Sequence, residues 1–202
     1  MKKNVALIFA IIACFAVIVQ FYLMLEGRTN PLGETVTRFF SYFTILTNTL
    51  VAFYFLSQAF KSEGDSLWYQ PGTLTAITVY IIVVGLVYQI VLRPIWDPQG
   101  LARLVDELLH SVNPLLVLGF WWYYEEKSKL QWSQMPYWLL YPFFYLVCIL
   151  LRGYFSGFYP YPFVNVNELG FQMVALNSLV LFCVFLSLSA GLVLLGRKVG
   201  NS

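Results

Sequence analysis

The chain contains a single histidine, His110, and it lies inside a long apolar stretch. If that stretch crosses a membrane, the imidazole is costly unless another group bonds to it, and an ionisable side chain there is a functional-site hypothesis by default. Imidazole is also well suited to remove a proton near neutral pH. We therefore predict that His110 is a general base, and its chemistry depends on the group that it contacts.

A stripe of hydroxyl and amide side chains supplies the candidate partner. Its members are Thr37, Ser41, Thr44 and Asn48. Their spacing of four, three and four residues predicts one face of a continuous helix, which either holds helices together or lines a wet cavity. Counted from positions 38 and 104, where two apolar runs enter from the same side, Thr44 and His110 both lie roughly 9 Å deep. The two side chains are predicted to meet.

A threonine hydroxyl becomes an effective nucleophile when a base within hydrogen-bond reach removes its proton. Thr44 is the predicted nucleophile, and with His110 as base it would attack an ester or a related acyl group. A third group orients the base in such triads. Asp106 is the predicted orienting residue and Glu107 the alternative, although both carboxylates could simply cap the outer end of the helix.

The remaining site residues are predicted to contact the substrate. Amides near the nucleophile would donate to the oxyanion, because Thr44 is expected to lie past the first helical turn, where backbone N–H groups are already bonded. The guanidinium groups of arginines would bind a carboxylate at the end of the substrate, or would only anchor helix ends. Pro114 is predicted to kink its helix and open space beside His110. The predicted substrate-contacting residues are Asn48, Asn113, Ser41, Arg93 and Arg152.

The composition indicates an integral membrane protein. Of 202 residues, 59% are hydrophobic and 11% charged, which is too apolar for a soluble domain. Six apolar runs approach or exceed the length of about 20 helical residues that crosses a hydrocarbon core. They cover residues 4–25, 38–60, 72–92, 104–123, 134–151 and 171–195. We predict an all-α, polytopic bundle that forms one domain over residues 1–202.

Basic residues set the predicted orientation. Seven fall on one side of the membrane and five on the other, so the majority side, with both termini, is expected to be cytoplasmic. The seven are Lys2, Lys3, Lys61, Lys127, Lys129, Arg197 and Lys198, and the five are Arg28, Arg38, Arg93, Arg103 and Arg152. The predicted location is the cell membrane, which is the inner membrane if the chain is bacterial.

The residue inventory disfavours several other functions. The net charge of +2 is spread over loops without a basic run that would indicate nucleic-acid binding. One histidine is too few for bis-histidine haem, for a di-iron bundle or for a three-histidine zinc site. The three cysteines show no metal-ligand spacing. We therefore predict no metal and no cofactor, and the oligomeric state is left open.

Three short patches resemble the androgen-induced-protein family of six-helix membrane proteins and its bacterial relatives. They are Ser41-Tyr42-Phe43-Thr44, Leu109-His110-Ser111 followed by Pro114, and Tyr159-Pro160-Tyr161-Pro162-Phe163. The resemblance implies a threonine hydrolase that cleaves fatty acid esters of hydroxy fatty acids, with Thr44 as nucleophile and His110 as base.

The expected function is thus hydrolysis of a lipid ester taken from the bilayer, with an apolar cavity that opens to the outer leaflet. Two alternatives stay open at this point. An acyltransferase would use the same threonine and histidine, since either water or an acceptor alcohol can resolve an acyl-threonine. A lipid-binding protein or small transporter would use the polar stripe to line a pathway.

Overall fold

The computed structural model describes residues 1–60 and 67–200, and every regular element in these ranges is helical. The chain forms two compact units, Met1–Glu126 and Lys127–Ser202. The α-helices are α1 (Lys2–Glu26), α2 (Leu32–Phe39), α3 (Phe43–Phe60), α4 (Thr73–Val87), α5 (Gly100–Glu107), α6 (Asn113–Tyr124), α7 (Met135–Ser156) and α8 (Val166–Gly200). The all-α prediction is confirmed, whereas the single domain over residues 1–202 stays a prediction.

Five helices among the described residues are long and apolar enough to cross a membrane. They are Lys2–Glu26, Phe43–Phe60, Thr73–Ile95, Trp132–Ser156 and Val166–Gly200. The predicted span 104–123 is helical but does not belong to this set. Lys61, which contributed to the predicted orientation, lies outside the described residues.

The second predicted span begins later than expected. The apolar run from position 38 is not one helix, since α2 ends at Phe39 and α3 begins at Phe43. Between them the N–H groups of Ser41 and Tyr42 donate to carbonyls three residues earlier, and the N–H of Ile45 donates to the Tyr42 carbonyl at 3.1 Å. The prediction that Thr37, Ser41, Thr44 and Asn48 share one helical face was therefore wrong: Thr37 lies on α2 and Ser41 lies between the helices.

Small side chains bring α1 against α3 in the first unit. The alanines on one face of α1 are fully buried, and α3 is the helix that α1 contacts most extensively. Without bulky side chains two helix backbones can approach closely, which favours packing in a membrane. Further along α1, Ala16 packs with Phe39, Ile45, Val105 and Leu109 in one buried cluster. This cluster joins the start of α3 to the segment that carries His110.

The helical segment 100–124 is interrupted by a π-helical turn, Leu108–Val112, which contains His110. Pro114 follows in the first turn of α6, where its missing N–H is tolerated. A Cβ added to Gly85 of α4 would lie 3.1 Å from the His110 carbonyl oxygen and 3.3 Å from Pro114 Cγ. Glycine at position 85 therefore lets α4 approach the π-helical turn closely. The predicted kink at Pro114, with open space beside His110, stays a prediction, and the irregularity that the structure shows in this stretch is the π-helical turn.

The second unit consists mainly of α7 and α8. Helix α7 continues through Pro142 without ending. Helix α8 contains a non-helical residue, Gly170, with φ 74° and ψ 160°. Aromatic side chains of the loop between the helices pack against its surroundings and against each other. The Tyr159 ring occupies the space where a Cβ on Gly153 would lie. The rings of Tyr161 and Phe163 stack with their centres 5.1 Å apart.

A partly buried carboxylate, that of Glu125, joins the end of α6 to the start of α4. The Thr75 hydroxyl donates to Glu125 Oε2 at 2.8 Å and accepts a hydrogen bond from Trp121 Nε1 at 2.8 Å. The negative charge lies at the N-terminus of α4, where the helix dipole favours it. Burial raises the pKa of the Glu125 carboxyl, and hydrogen bonds from Thr75 and neighbouring backbone N–H groups oppose that rise.

Replacing this carboxyl, Glu125→Gln, is expected to remove a pH dependence of stability. A pKa raised by folding stabilises the protein below the unfolded-state pKa, and this contribution is lost as the pH rises through the folded-state pKa. The unfolding temperature of the parent should therefore rise relative to Glu125→Gln between about pH 7 and about pH 4. Glu26→Gln, at the exposed end of α1, controls for net charge; parallel curves for parent and Glu125→Gln would contradict the expectation.

Candidate active site

The predicted meeting of Thr44 and His110 is confirmed. Thr44 Oγ1 lies 3.3 Å from His110 Nε2, slightly longer than the 2.6–3.2 Å range of tight catalytic hydrogen bonds. Only 8% of Thr44 is exposed, and 11% of the His110 side chain. The contact between the two side chains is therefore largely buried, and a small part of each side chain remains accessible.

The contacts of the other imidazole nitrogen, Nδ1, indicate which ring nitrogen of His110 carries the proton. His110 Nδ1 lies 2.9 Å from the Asp106 carbonyl oxygen and 3.2 Å from Asp106 Oδ1. Both oxygens accept hydrogen bonds, so in the neutral ring Nδ1 is the protonated nitrogen. Nε2 then presents its lone pair to Thr44, which is the arrangement that a general base requires.

Asp106, and not Glu107, is the carboxylate that contacts His110. The Glu107 carboxylate instead pairs with Arg93 and accepts a hydrogen bond from the Ser111 hydroxyl at 2.6 Å. Arg93 also donates to Gln89 at 2.6 Å, and Gln89 donates to Ser111 at 2.8 Å, which closes the network. The Arg93 side chain is 43% exposed, so this ring of polar groups lies at the open edge of the site.

Tyr88, a residue that the sequence analysis missed, contacts both Asp106 and His110. Its hydroxyl donates to Asp106 Oδ2, and its ring stacks on the imidazole at 4.1 Å with an interplanar angle of 14°. Near the outer end of a predicted span a tyrosine is usual, because aromatic side chains favour the membrane interface. Its position, one residue before Gln89 and five before Arg93, was therefore not informative without the helix packing.

The two predicted amide donors bond to the protein itself. Asn48 donates to the Thr44 carbonyl at 2.9 Å and to the Leu109 carbonyl at 3.2 Å, which uses both of its amide hydrogens. Asn113 donates to Asn48 Oδ1 at 2.8 Å, and both residues are buried. These contacts favour a structural role that joins α3 to the π-helical turn, so the predicted oxyanion donation by Asn48 does not fit the geometry.

The backbone around Thr44 differs from the prediction in a way that favours chemistry. Thr44 is the second residue of α3 and thus lies in its first turn. The expectation that Thr44 lies past the first turn was therefore wrong, although the N–H groups of Ile45 and Leu46 both donate to the Tyr42 carbonyl at 3.1 Å. The N-terminal end of a helix carries partial positive charge, which favours an anion close to Thr44.

The last two predicted substrate contacts are Ser41 and Arg152. The Ser41 hydroxyl donates to the Thr37 carbonyl at 2.6 Å. Arg152 belongs to the second unit, where its guanidinium lies 5.1 Å from the centre of the Phe158 ring. Roles for both in substrate binding stay predictions.

No group of three or more histidine, cysteine, aspartate and glutamate side chains in the described residues is arranged to hold a metal ion. Comparisons with protein-family models, with curated proteins and with solved structures found no match. The function of the site is therefore inferred from its own geometry.

A double-mutant cycle on Asn48 and Asn113 measures their structural role. Either substitution by leucine leaves the other amide without its partner, at a cost of about 1 kcal/mol in the free energy of unfolding. Asn48→Leu with Asn113→Leu should cost less than the sum, because the second change removes the unsatisfied group. Denaturant unfolding in mixed micelles gives the three values, and strictly additive costs would refute the coupling.

Proposed function

We propose that the protein is an intramembrane lipid ester hydrolase in which Thr44 is the nucleophile and His110 the general base. One observation carries the proposal: the Thr44 hydroxyl contacts His110 Nε2 while Asp106 holds Nδ1. Nucleophile, base and orienting group thus occur in the order that defines a catalytic triad by geometry and role.

The reaction would proceed in two halves. His110 Nε2 takes the Thr44 proton as Oγ1 bonds to the ester carbonyl carbon, and the resulting imidazolium returns that proton to the departing alkoxide. In the second half His110 removes a proton from water, the hydroxide attacks the acyl-threonine, and the proton returns to Thr44 as the fatty acid leaves. The first-turn position of Thr44 supports stabilisation of the oxyanion by the dipole of α3.

The proposed substrates are fatty acid esters of hydroxy fatty acids or similar acyl lipids, in keeping with the proposed membership of the androgen-induced-protein family. Such lipids would enter from the bilayer through the proposed apolar cavity. Arg93 is paired with Glu107, so a substrate carboxylate would have to compete with Glu107 for the guanidinium. Transfer of the acyl group to an alcohol, or lipid binding without reaction, are outcomes that the experiments below separate.

For the membrane arrangement we propose six spans with both termini in the cytoplasm, at the cell membrane. The helical segment from 100 to 124 is the span that the five apolar helices do not include. At 1.5 Å per residue it reaches roughly 37 Å, enough for a hydrocarbon core of about 30 Å. His110 and Asn113 are bonded to α3, and Ser111 is bonded to the π-helical turn that follows α4, which lowers the cost of placing these residues in lipid.

The number of spans fixes where the termini lie, and reporter fusions can test it. Six spans return the C-terminus to the side of the N-terminus, whereas five place them on opposite sides. We expect fluorescent-protein fusions at either end to fluoresce in the cytoplasm and alkaline phosphatase fusions at either end to be inactive. An active phosphatase at one terminus only would exclude the six-span arrangement.

Substitutions at the two reacting residues test the chemistry. Thr44→Ala and His110→Ala should each abolish hydrolysis of lipid esters and labelling by a fluorophosphonate probe, since each removes a step and not a binding contact. For the same reason the double variant should be no worse than either single one. Turnover by purified protein in lipid nanodiscs is the measurement.

Two variants serve as controls. Thr44→Ser keeps a hydroxyl beside His110 and should retain measurable turnover, and Thr47→Ala, at a buried position in the same helix, should retain most of it. Folded Thr44→Ala protein that hydrolyses at the parental rate would overturn the proposed function. Acyl transfer without free acid release would instead identify a transferase, and binding of lipid without any acyl-threonine a carrier.

A further inference from the structure

Tyr88 makes two contacts with the site at once, through different parts of its side chain. The hydroxyl donates to Asp106 Oδ2, and the ring face lies 4.1 Å from the imidazole. Tyr88 is 3% exposed. A buried tyrosine hydroxyl needs a hydrogen-bond partner, and here that partner is the carboxylate that faces the base.

The two oxygens of Asp106 have separate partners. Oδ1 lies 3.2 Å from His110 Nδ1, while Oδ2 accepts the Tyr88 hydroxyl. Rotation of the carboxylate about its Cβ–Cγ bond would break one of these contacts, so the Tyr88 hydroxyl keeps Oδ1 directed at the imidazole. The Asp106 carbonyl already holds the neutral tautomer, and the carboxylate adds a negative charge opposite Nδ1.

From these contacts we infer that Tyr88 is a positioning residue for His110, the outer member of a chain Tyr88–Asp106–His110–Thr44. This inference rests on the proposed function and extends it to the third membrane helix. When His110 takes the Thr44 proton, the imidazolium has the Asp106 carboxylate at its edge and the Tyr88 π-face against its plane. Both interactions favour the cation over the neutral ring.

The backbone brings Tyr88 to this position. Tyr88 begins one π-helical turn, Tyr88–Leu92, and His110 lies in another, Leu108–Val112. Gly85, three residues before Tyr88, allows the two segments to approach at the His110 carbonyl. π-Helical turns occur frequently at functional sites, where they redirect side chains that a regular helix would place elsewhere.

Tyr88→Phe tests the inference, because it keeps the stacked ring and removes the hydroxyl. A lost hydrogen bond to a charged group should lower kcat about 10-fold or more for hydrolysis of p-nitrophenyl palmitate, with little change in KM. Tyr88→Leu also removes the π-face and should lower kcat further. Tyr80→Phe makes the same chemical change two turns away on α4 and should leave kcat unchanged.

A second measurement does not depend on substrate. Because His110 is the only histidine, ¹⁵N-histidine labelling of the full chain in nanodiscs reports on one imidazole. In the protonated ring we expect a downfield Nδ1–H resonance that reflects the bond to the Asp106 carboxylate. It should move upfield in Tyr88→Phe and in Asp106→Asn, and the double variant should show no further shift.

The outcomes separate this inference from the proposed function. An unchanged resonance and unchanged kcat in Tyr88→Phe, with only a lower unfolding temperature, would mean that Tyr88 is merely a packing residue. If Tyr88→Phe does not fold, an unchanged resonance in Asp106→Asn would overturn the inference equally. If Thr44→Ala retains hydrolysis, the proposed function fails, while the shift of the His110 resonance still decides whether Tyr88 positions the imidazole.

Discussion

The two nitrogens of the His110 imidazole need partners in a place where bulk water supplies few, and much of the first unit follows from that requirement. A membrane interior imposes a similar demand on every polar side chain between helices. Nδ1 finds its partners within its own helical segment, at Asp106, and Nε2 finds Thr44 on another helix. The Asp106 carboxylate in turn needs a second donor, and Tyr88 supplies it from the π-helical turn that follows α4. The hydrogen bonds of the His110 imidazole and of its partner Asp106 thus link three helical segments.

Departures from regular helix make these contacts possible. The break between α2 and α3 places Thr44 in a first turn instead of in mid-helix. The π-helical turn around His110 adds a residue to the local register and ends next to Pro114, and Gly85 removes the side chain that would keep α4 away. Each irregularity would weaken an isolated helix. Together they occur where the polar groups meet, which is common at sites where function constrains the backbone.

The polar residues of the unit divide into two kinds by their bonds. Asn48 and Asn113 use their amides on each other and on carbonyl groups, which holds helices together. Thr44 and His110 contact each other through groups that can exchange a proton, and neither is completely enclosed. A polar stripe in a membrane helix therefore need not have one use. On α3, Asn48 bonds to the amide of Asn113 and to carbonyl groups while Thr44 contacts the imidazole, and only these partners distinguish the two residues.

The sequence by itself determined the helical class, the approximate extent of the apolar helices and the pair Thr44 and His110. Hydropathy sets the first two, and a lone imidazole in an apolar run has few possible partners at its own depth. Tertiary structure decided the rest. The start of α3 was hidden because Phe39 and Phe40 continue the apolar run through the break, and the uses of Asn48 and Glu107 depended on side chains far along the chain. Tyr88 was hidden for the same reason, since an aromatic residue near a helix end acquires a role only when packing places a carboxylate and an imidazole beside it.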